Sequence, residues 1–161
     1  MENLKLTFDF LSPAEKIQYW KARIALVTRN SSFNKSQLKL ANELTFSIRE
    51  TYFEDGGSAE VDKFSRMWFQ KASQIFSSKE LAMLTLLTPI NVENGQANFD
   101  FMTTDSDPRD DGLKCKCLVD ATINHCQFYG RSCIENTGCE VQPSGCGFMG
   151  GKKCDGRCDG W

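Results

Sequence analysis

The chain has 161 residues, which suits one domain, or a modest domain with a small module, and is too short for two large domains. Nineteen Lys and Arg residues against 21 Asp and Glu residues give a formal charge of −2, so no basic surface argues for a nucleic acid or an anionic membrane as partner. No apolar run reaches the roughly 18 residues that a membrane-spanning helix needs, and the N-terminus lacks the pattern of a secretory signal.

The first 30 residues predict a short strand followed by a helix. Residues 3–10 alternate strictly between apolar and polar side chains, which predicts a strand with one apolar face of Leu4, Leu6, Phe8 and Phe10. Ser12-Pro13-Ala14-Glu15 is a capping box with proline at the first helical position, so a helix should begin there. Asn30 follows the predicted helix and ends it. Its apolar stripe, at spacings of three and four residues, consists of Ile17, Trp20, Ile24 and Val27.

Three more amphipathic helices are predicted before residue 90. The second begins near Ser36, and its buried face consists of Leu38, Ala41, Leu44, Ile48 and Tyr52. The third follows a turn at residues 55–58, is capped by Ser58, and has a stripe of Val61, Phe64, Trp68, Ala72 and Ile75. A second capping box at residues 77–80 begins a short fourth helix, which Pro89 ends and which buries Leu81, Leu84 and Leu87. Four helices with short loops predict a mainly α, small helical bundle within residues 1–104.

The end of this first part is predicted to be extended chain and then a linker. Residues 90–104 surround an Asn-Gly pair and should pack back on the helices through Ile90, Val92, Phe99, Phe101 and Met102. Residues 105–112 contain no apolar side chain and predict an acidic, solvated linker. An EF-hand calcium loop is excluded in both registers. A loop that starts at Asp105 has Arg109 at position 5, and a loop that starts at Asp107 has Leu118 at position 12, where oxygen ligands are required. We expect no cofactor and no metal here.

Cysteine is concentrated in the last third of the chain, residues 113–161. The eight positions are Cys115, Cys117, Cys126, Cys133, Cys139, Cys146, Cys154 and Cys158. Eight of the twelve glycines also follow residue 112. Such a segment is too small and too poor in large apolar residues to fold by packing alone, which predicts a small disulfide-rich module of irregular or short β structure. Four bridges are expected, and their pairing cannot be deduced from the sequence.

Two other interpretations of the cysteines compete with disulfides. Structural zinc is the second, although the close pairs are C-x-C and C-x₃-C instead of the usual C-x₂-C. A catalytic dyad of His125 and Cys126 is the third, and it is weakened because neighbours in sequence point apart on a strand. No common hydrolase, zinc-protease, phosphate-loop or dinucleotide motif is present, so an enzyme is not expected.

The cysteine-rich segment carries a resemblance to a known family. Its elements are the opening Cys115-Lys116-Cys117, the Pro143-Ser144-Gly145-Cys146-Gly147 stretch and the order of the eight cysteines. Over residues 115–161 the chain resembles the fulvocin C-related bacteriocins. The helical part, which opens with Ser-Pro-Ala-Glu-Lys-Ile-Gln-Tyr-Trp-Lys, looks like the N-terminal regions of precursors in that family. The resemblance implies a secreted precursor whose C-terminal peptide acts against competing bacteria.

These inferences together predict where the protein works and what it meets. Disulfides imply a secreted or extracytoplasmic protein, with its signal peptide already removed. The implied partners are an unknown bacterial surface target and a processing protease that cuts the linker. The near-neutral module lacks a cationic face for membrane attack, so target contacts are assigned to the aromatic residues Phe128, Tyr129, Phe148 and Trp161. The alternative is an uncleaved extracellular binding module. Residues 1–112 are expected to fold without the cysteines.

Overall fold

The computed structural model has helices in its N-terminal part and short strands with four disulfide bonds in its C-terminal part. It describes residues 7–54, 59–87, 90–98, 114–115, 117–119, 121, 126–127, 131–135 and 138–159. We call the described residues of 7–98 the helical region and those of 114–159 the cysteine module. The predicted linker, His125, Ser58 and Pro89 lie outside the described residues.

Helix α1 spans Pro13–Arg29 and begins at the predicted capping box. The Ser12 backbone amide donates to Glu15 Oε2 at 2.8 Å, and the Glu15 amide donates back to Ser12 Oγ at 3.4 Å. The bond from the Ser12 side chain, and then that from its backbone, lowers the pKa of Glu15. Three residues of the predicted stripe are buried, namely Trp20, Ile24 and Val27. The start, the stripe and the end at Asn30 are confirmed.

Three further helices and one 3-10 turn follow α1 in the helical region. Helix α2 spans Lys35–Ser47 with Asn34 as its N-cap, and a 3-10 turn follows at Glu50–Tyr52. Helix α3 spans Ala59–Ala72. Helix α4 spans Ser78–Thr85 and begins at the predicted capping box of Ser77 and Glu80. All four predicted helices are therefore present, with starts within one residue of those expected.

Two apolar residues assigned to buried faces are exposed. Leu38 on α2 is 38% exposed, because the buried face of that helix runs through Gln37, Leu40, Ala41 and Leu44. Ile75 is 37% exposed and lies beyond the end of α3, and Phe76 is buried there in its place. Each error is one residue, which on a helix turns a side chain by about 100° and so from core to solvent.

The predicted strand at residues 3–10 is wrong over its described part. Residues 7–9 are helical, and residues 3–6 lie outside the described residues. Phe8 is almost completely buried, whereas Phe10 is 87% exposed. In a strand, residues i and i+2 share a face, but on a helical turn they point in nearly opposite directions, which explains the different fates of the two phenylalanines.

The extended chain predicted after the helices is confirmed for residues 91–98, but the packing expected of Val92 is wrong, because its side chain is 43% exposed. Strands β1, Asn91–Glu93, and β2, Gln96–Asn98, pair antiparallel with Val92 opposite Ala97. Asn94 and Gly95 both have positive φ, 51° and 72°, which is the requirement of a tight two-residue hairpin turn. The Ala97 amide donates to the Asn30 carbonyl at 2.7 Å and so ties the hairpin to the end of α1. Phe99, Phe101 and Met102 lie outside the described residues.

The described part of the cysteine module contains two antiparallel strand pairs and four disulfides. Strand β3, Cys133–Glu135, pairs with β6, Gly156–Cys158, and β4, Gln142–Cys146, pairs with β5, Lys152–Cys154. The bridges are Cys115–Cys139, Cys117–Cys133, Cys126–Cys158 and Cys146–Cys154. All eight cysteines are thus bonded, and the predicted disulfide module with short β structure is confirmed.

The main apolar core lies within the helical region, around Trp20, Leu44 and Trp68. One buried residue of this core, Met149, comes from the cysteine module. Four cysteines of the module form a second cluster with Leu118 packed against it: Cys115, Cys139, Cys146 and Cys154. Within the described residues, no helix has the length and apolar character needed to cross a membrane.

Candidate functional site

The cysteine module contacts the helical region through the turn that joins β4 to β5. This turn, which we call the apex, spans residues 147–151 and contains a 3-10 turn at Phe148–Gly150. Gly147, Met149 and Gly150 all have positive φ, at 68°, 57° and 67°. Glycine adopts such angles easily, but methionine does so at a cost of about 1–2 kcal/mol. Another interaction in the folded protein must offset the conformational free-energy cost at Met149.

Burial of the Met149 side chain supplies that compensation. Met149 has no exposed surface and belongs to the core of the helical region. Its neighbour Gly150 lies against α4 and the residues after it, since a Cβ at Gly150 would be 3.2 Å from Leu87 Cβ. Complete burial of a methionine side chain stabilises by about 1.5–3 kcal/mol, which is enough to hold the left-handed backbone.

Phe148 fills an aromatic cluster on the helical side. Its ring centroid lies 6.0 Å from that of Trp68, 6.1 Å from Tyr52 and 6.4 Å from Phe64. These tilted and edge-on arrangements are the favourable ones for aromatic pairs. Gly151 closes the contact, because a Cβ there would overlap the backbone carbonyl oxygen of Tyr52. The fit at the apex therefore depends on small residues as well as on aromatic ones.

Polar contacts surround this apolar centre. Lys152 Nζ lies 3.1 Å from Asp62 Oδ1 on α3, and the Ser144 hydroxyl donates to Asp9. Burial raises the pKa of Tyr52, and a hydrogen bond from its hydroxyl to Ser47 Oγ at 3.2 Å partly offsets this effect. Tyr52 therefore stays a neutral phenol at ordinary pH. The contact has the apolar centre and polar rim of a protein–protein interface.

A cleft of about 690 Å³ runs along the same contact. Both parts of the chain form its walls, so it exists only while they are packed together. Residues from the helical region and the module that line it include Lys16, Tyr52, Phe53, Arg66, Leu118 and Lys153. Acidic side chains line it too, at Asp9, Glu54 and Asp62, so the cleft presents charges of both signs beside an aromatic wall.

Of the four predicted target contacts, Phe148 alone lies within the described residues. Phe128, Tyr129 and Trp161 lie outside the described residues. Phe148 is half-buried against the helical region, so in the intact chain its ring contacts the protein's own aromatic residues. Met149 was missed. Its signal was an apolar pair enclosed by glycines, Gly147-Phe-Met-Gly-Gly, which is typical of a tight turn that presents apolar side chains.

The eight cysteines fall into two groups that the sequence did not reveal. The bridges Cys115–Cys139 and Cys146–Cys154 share the apolar cluster near Leu118. The other two bridges, Cys117–Cys133 and Cys126–Cys158, meet beside the pairing of β3 with β6. The first group supports the strands that carry the apex, and the second supports the far end of the module.

Comparison with known proteins supplies no relative for this chain. No protein-family model, no curated protein and no solved structure matches it.

Proposed function

We propose that this protein is the secreted precursor of a bacteriocin-like antibacterial peptide, with the cysteine module as its active part. The helical region, taken as a small bundle, covers the apex of the module until a protease cuts the chain between them. The proposal draws on the resemblance of residues 115–161 to the fulvocin C-related bacteriocins. It draws also on the four disulfides, which suit an oxidising, extracytoplasmic location.

The observation that carries the proposal is the burial of the apex. Phe148 and Met149 are the module's largest apolar side chains at this turn, and both pack on the helical region. A surface that binds a foreign target must be free to do so. Covering it with another part of the same chain keeps the module inactive in the cell that produces it.

The polar segment 105–112 provides the cutting point in this scheme. It has five acidic or basic side chains among eight residues and no apolar one, which is the composition of a protease-accessible linker. Cutting removes the covalent link but leaves the apex contact intact. Release of the module therefore requires that the contact also be lost, for example by dilution or by binding to the target.

The test uses the full chain with residues 105–112 replaced by the recognition sequence of a site-specific protease. Growth of related bacteria is measured with intact chain, with cut chain, and with the module separated after cutting while its disulfides are kept. We expect inhibition by the separated module, weaker inhibition by the intact chain, and none by module that has been reduced and alkylated. Inhibition by the alkylated module would refute the need for the disulfide scaffold.

An uncleaved extracellular binding module is the second candidate, and the cleft favours it. Because residues of both parts line the cleft, a ligand bound there would require the chain to remain whole. Mass spectrometry of the natural secreted protein separates the two candidates. A fragment covering residues 113–161 supports the precursor, whereas a single intact chain, together with no inhibition by any form across a broad panel of strains, supports the binding module.

A further inference from the structure

Two of the four disulfide bonds lie beside each other in the cysteine module. Cys117 is bonded to Cys133, and Cys126 is bonded to Cys158. The Sγ atoms of Cys117, Cys126 and Cys158 are all within 4.8 Å of one another, although Cys117 belongs to a different bridge from the other two. We call these two disulfides the adjacent bridges. A sulfur released from one of them therefore lies next to a sulfur of the other.

Burial divides the four cysteines of the adjacent bridges into two kinds. Cys117 and Cys126 are almost completely buried, whereas Cys133 and Cys158 are half-buried. Each bridge thus joins one buried cysteine to one that solvent reaches. Disulfide exchange starts when a thiolate attacks a disulfide sulfur, and its rate depends on access to that sulfur. A small thiol from solution therefore attacks Cys133 or Cys158 and releases the buried partner.

The two half-buried cysteines are also placed for a direct bridge to each other. Cys133 and Cys158 lie directly opposite each other in the antiparallel pairing of β3 with β6. The Cα atoms of such opposite residues are about 4.5–5.5 Å apart, within the range of about 4.4–6.8 Å that a disulfide needs. The sulfur atoms of the buried pair are close together, and the backbones of the half-buried pair are close together. A second pairing therefore fits the same backbone.

We propose that the adjacent bridges are a thiol–disulfide exchange site, at which a small thiol converts the present pairing into a second one, Cys117–Cys126 with Cys133–Cys158. The thiolate attacks Cys158 Sγ, forms a mixed disulfide there and releases the Cys126 thiolate. Cys126 attacks Cys117 Sγ, which forms one new bridge and releases the Cys133 thiolate. Cys133 then attacks Cys158 Sγ in the mixed disulfide, which forms the other new bridge and returns the small thiolate to solution.

Every step of this cycle forms one S–S bond and breaks one. No electrons are gained or lost overall, so the small thiol acts as a catalyst. An attack that starts at Cys133 gives the same product, because the released Cys117 thiolate lies beside Cys126. Three protein disulfides stay closed at every stage, so the module remains cross-linked throughout. The exchange is independent of any antibacterial activity, and its failure would leave the proposed function untouched.

The test uses the full-length oxidised chain with reduced glutathione as the small thiol, in the absence of oxygen. Free thiols are blocked with a maleimide at intervals, and the bridges are located by mass spectrometry of proteolytic fragments. We expect the second pairing to form at least about tenfold faster than any new bridge to the other four cysteines, because the attack between adjacent bridges is internal. S-methylglutathione, which has no thiol, is the matched control and should leave the pairing unchanged.

A variant without the receiving bridge separates internal attack from simple opening by the thiol. In Cys117→Ser with Cys133→Ser, the Cys126 thiolate has lost its neighbouring disulfide, so the glutathione adduct at Cys158 should accumulate. In the parent chain this adduct should be short-lived, and no glutathione should be consumed. Persistence of the original pairing in the parent, a lasting adduct there, or a random mixture that includes the other four cysteines would overturn the proposal.

Discussion

Large side chains fill the core of the helical region, whereas sulfur fills the interior of the cysteine module. Trp20, Trp68 and Phe8 are the largest fully buried side chains of the first part. Among the described residues of the module, every buried apolar residue except Met149 is a cysteine. One part is stabilised mainly by removing apolar surface from water, and the other by cross-links that restrict its unfolded state.

Met149 shows how these two ways of folding depend on each other. The cysteine module has too few apolar residues for a core of its own, and it places its one large buried side chain in the core of the helical region. The helical region in turn takes Phe148 into its aromatic cluster and Met149 into its apolar core. The change in composition near residue 113 is therefore not a boundary in packing.

The largest effect is expected from removing the Met149 side chain. Met149→Ala leaves a cavity between the two parts and keeps the left-handed backbone, so the free energy of unfolding should fall by about 2–5 kcal/mol. Chemical denaturation, followed by helical circular dichroism, measures it. Val141→Ala is the control, because Val141 lies in the same module and is 47% exposed. Equal, small effects of the two substitutions would mean that the parts fold separately.

A methyl group at Gly151 should separate the parts by a different route. Gly151→Ala places its Cβ against the Tyr52 carbonyl oxygen, and this overpacking should cost about 1–3 kcal/mol. Gly151 has an ordinary φ of −81°, so the cost is steric. Gly138→Ala is the matched control, with a φ of 100° and nothing within 4 Å of its Cβ, and should strain only the module. Tyrosine fluorescence and thermal unfolding distinguish the two, and loss of the apex contact in Gly138→Ala would contradict this account.

Asp155 gives the module a stability that depends on pH. Burial raises the pKa of its carboxyl, but the amide of Val119, which donates to it at 2.9 Å, and the Lys153 ammonium at 3.1 Å outweigh burial and lower the pKa overall. With the pKa lower in the folded than in the unfolded state, this stabilisation is complete above the unfolded value of about 3.9 and is lost as the pH falls through the folded value.

Replacement of Asp155 tests this dependence. Asp155→Asn should lower the free energy of unfolding by about 0.5–1.5 kcal/mol at neutral pH. The gap between variant and parent should close in strongly acidic solution, as the parent's carboxyl becomes protonated. Denaturation curves at a series of pH values measure it. A gap that stays constant down to the lowest pH would show that the charge of Asp155 is unimportant.

The smallest effect is expected from the ion pair at the rim of the contact. The Lys152 side chain is 19% exposed and that of Asp62 is 47% exposed, so water screens the pair and it should contribute about 0.2–1 kcal/mol. A double-mutant cycle with Asp62→Asn and Lys152→Met, at low and high salt, measures the coupling. The matched control is Lys71 with Glu43, a more exposed pair within the helical region. If the coupling energy of Lys152 with Asp62 were smaller than that of Lys71 with Glu43, the pair would not stabilise the contact between the two parts.

Local signals were enough to predict the helices. Both predicted capping boxes act within four residues, and the stripe of α1 and that of α3 as far as Ala72 follow from helical spacing alone, so no distant contact was needed to locate them. The strand predicted at residues 3–10 failed over its described residues, 7–10, because a short stretch of alternation is too weak a pattern. The requirement that Phe8 enter the core near Trp20 overrides it, with the two ring centroids 6.4 Å apart.

Local sequence patterns were sufficient to predict the helices, their capped starts, the location of the cysteine module and the oxidation of all its thiols. Only the tertiary structure decided which cysteines pair, that Phe148 and Met149 enter the helical core, and that a cleft forms between the two parts. The physical reason is distance along the chain. Capping and helical periodicity act between residues a few positions apart, whereas Phe148 and Trp68 are separated by 80 residues (148 − 68) and their rings meet only when the whole chain has folded.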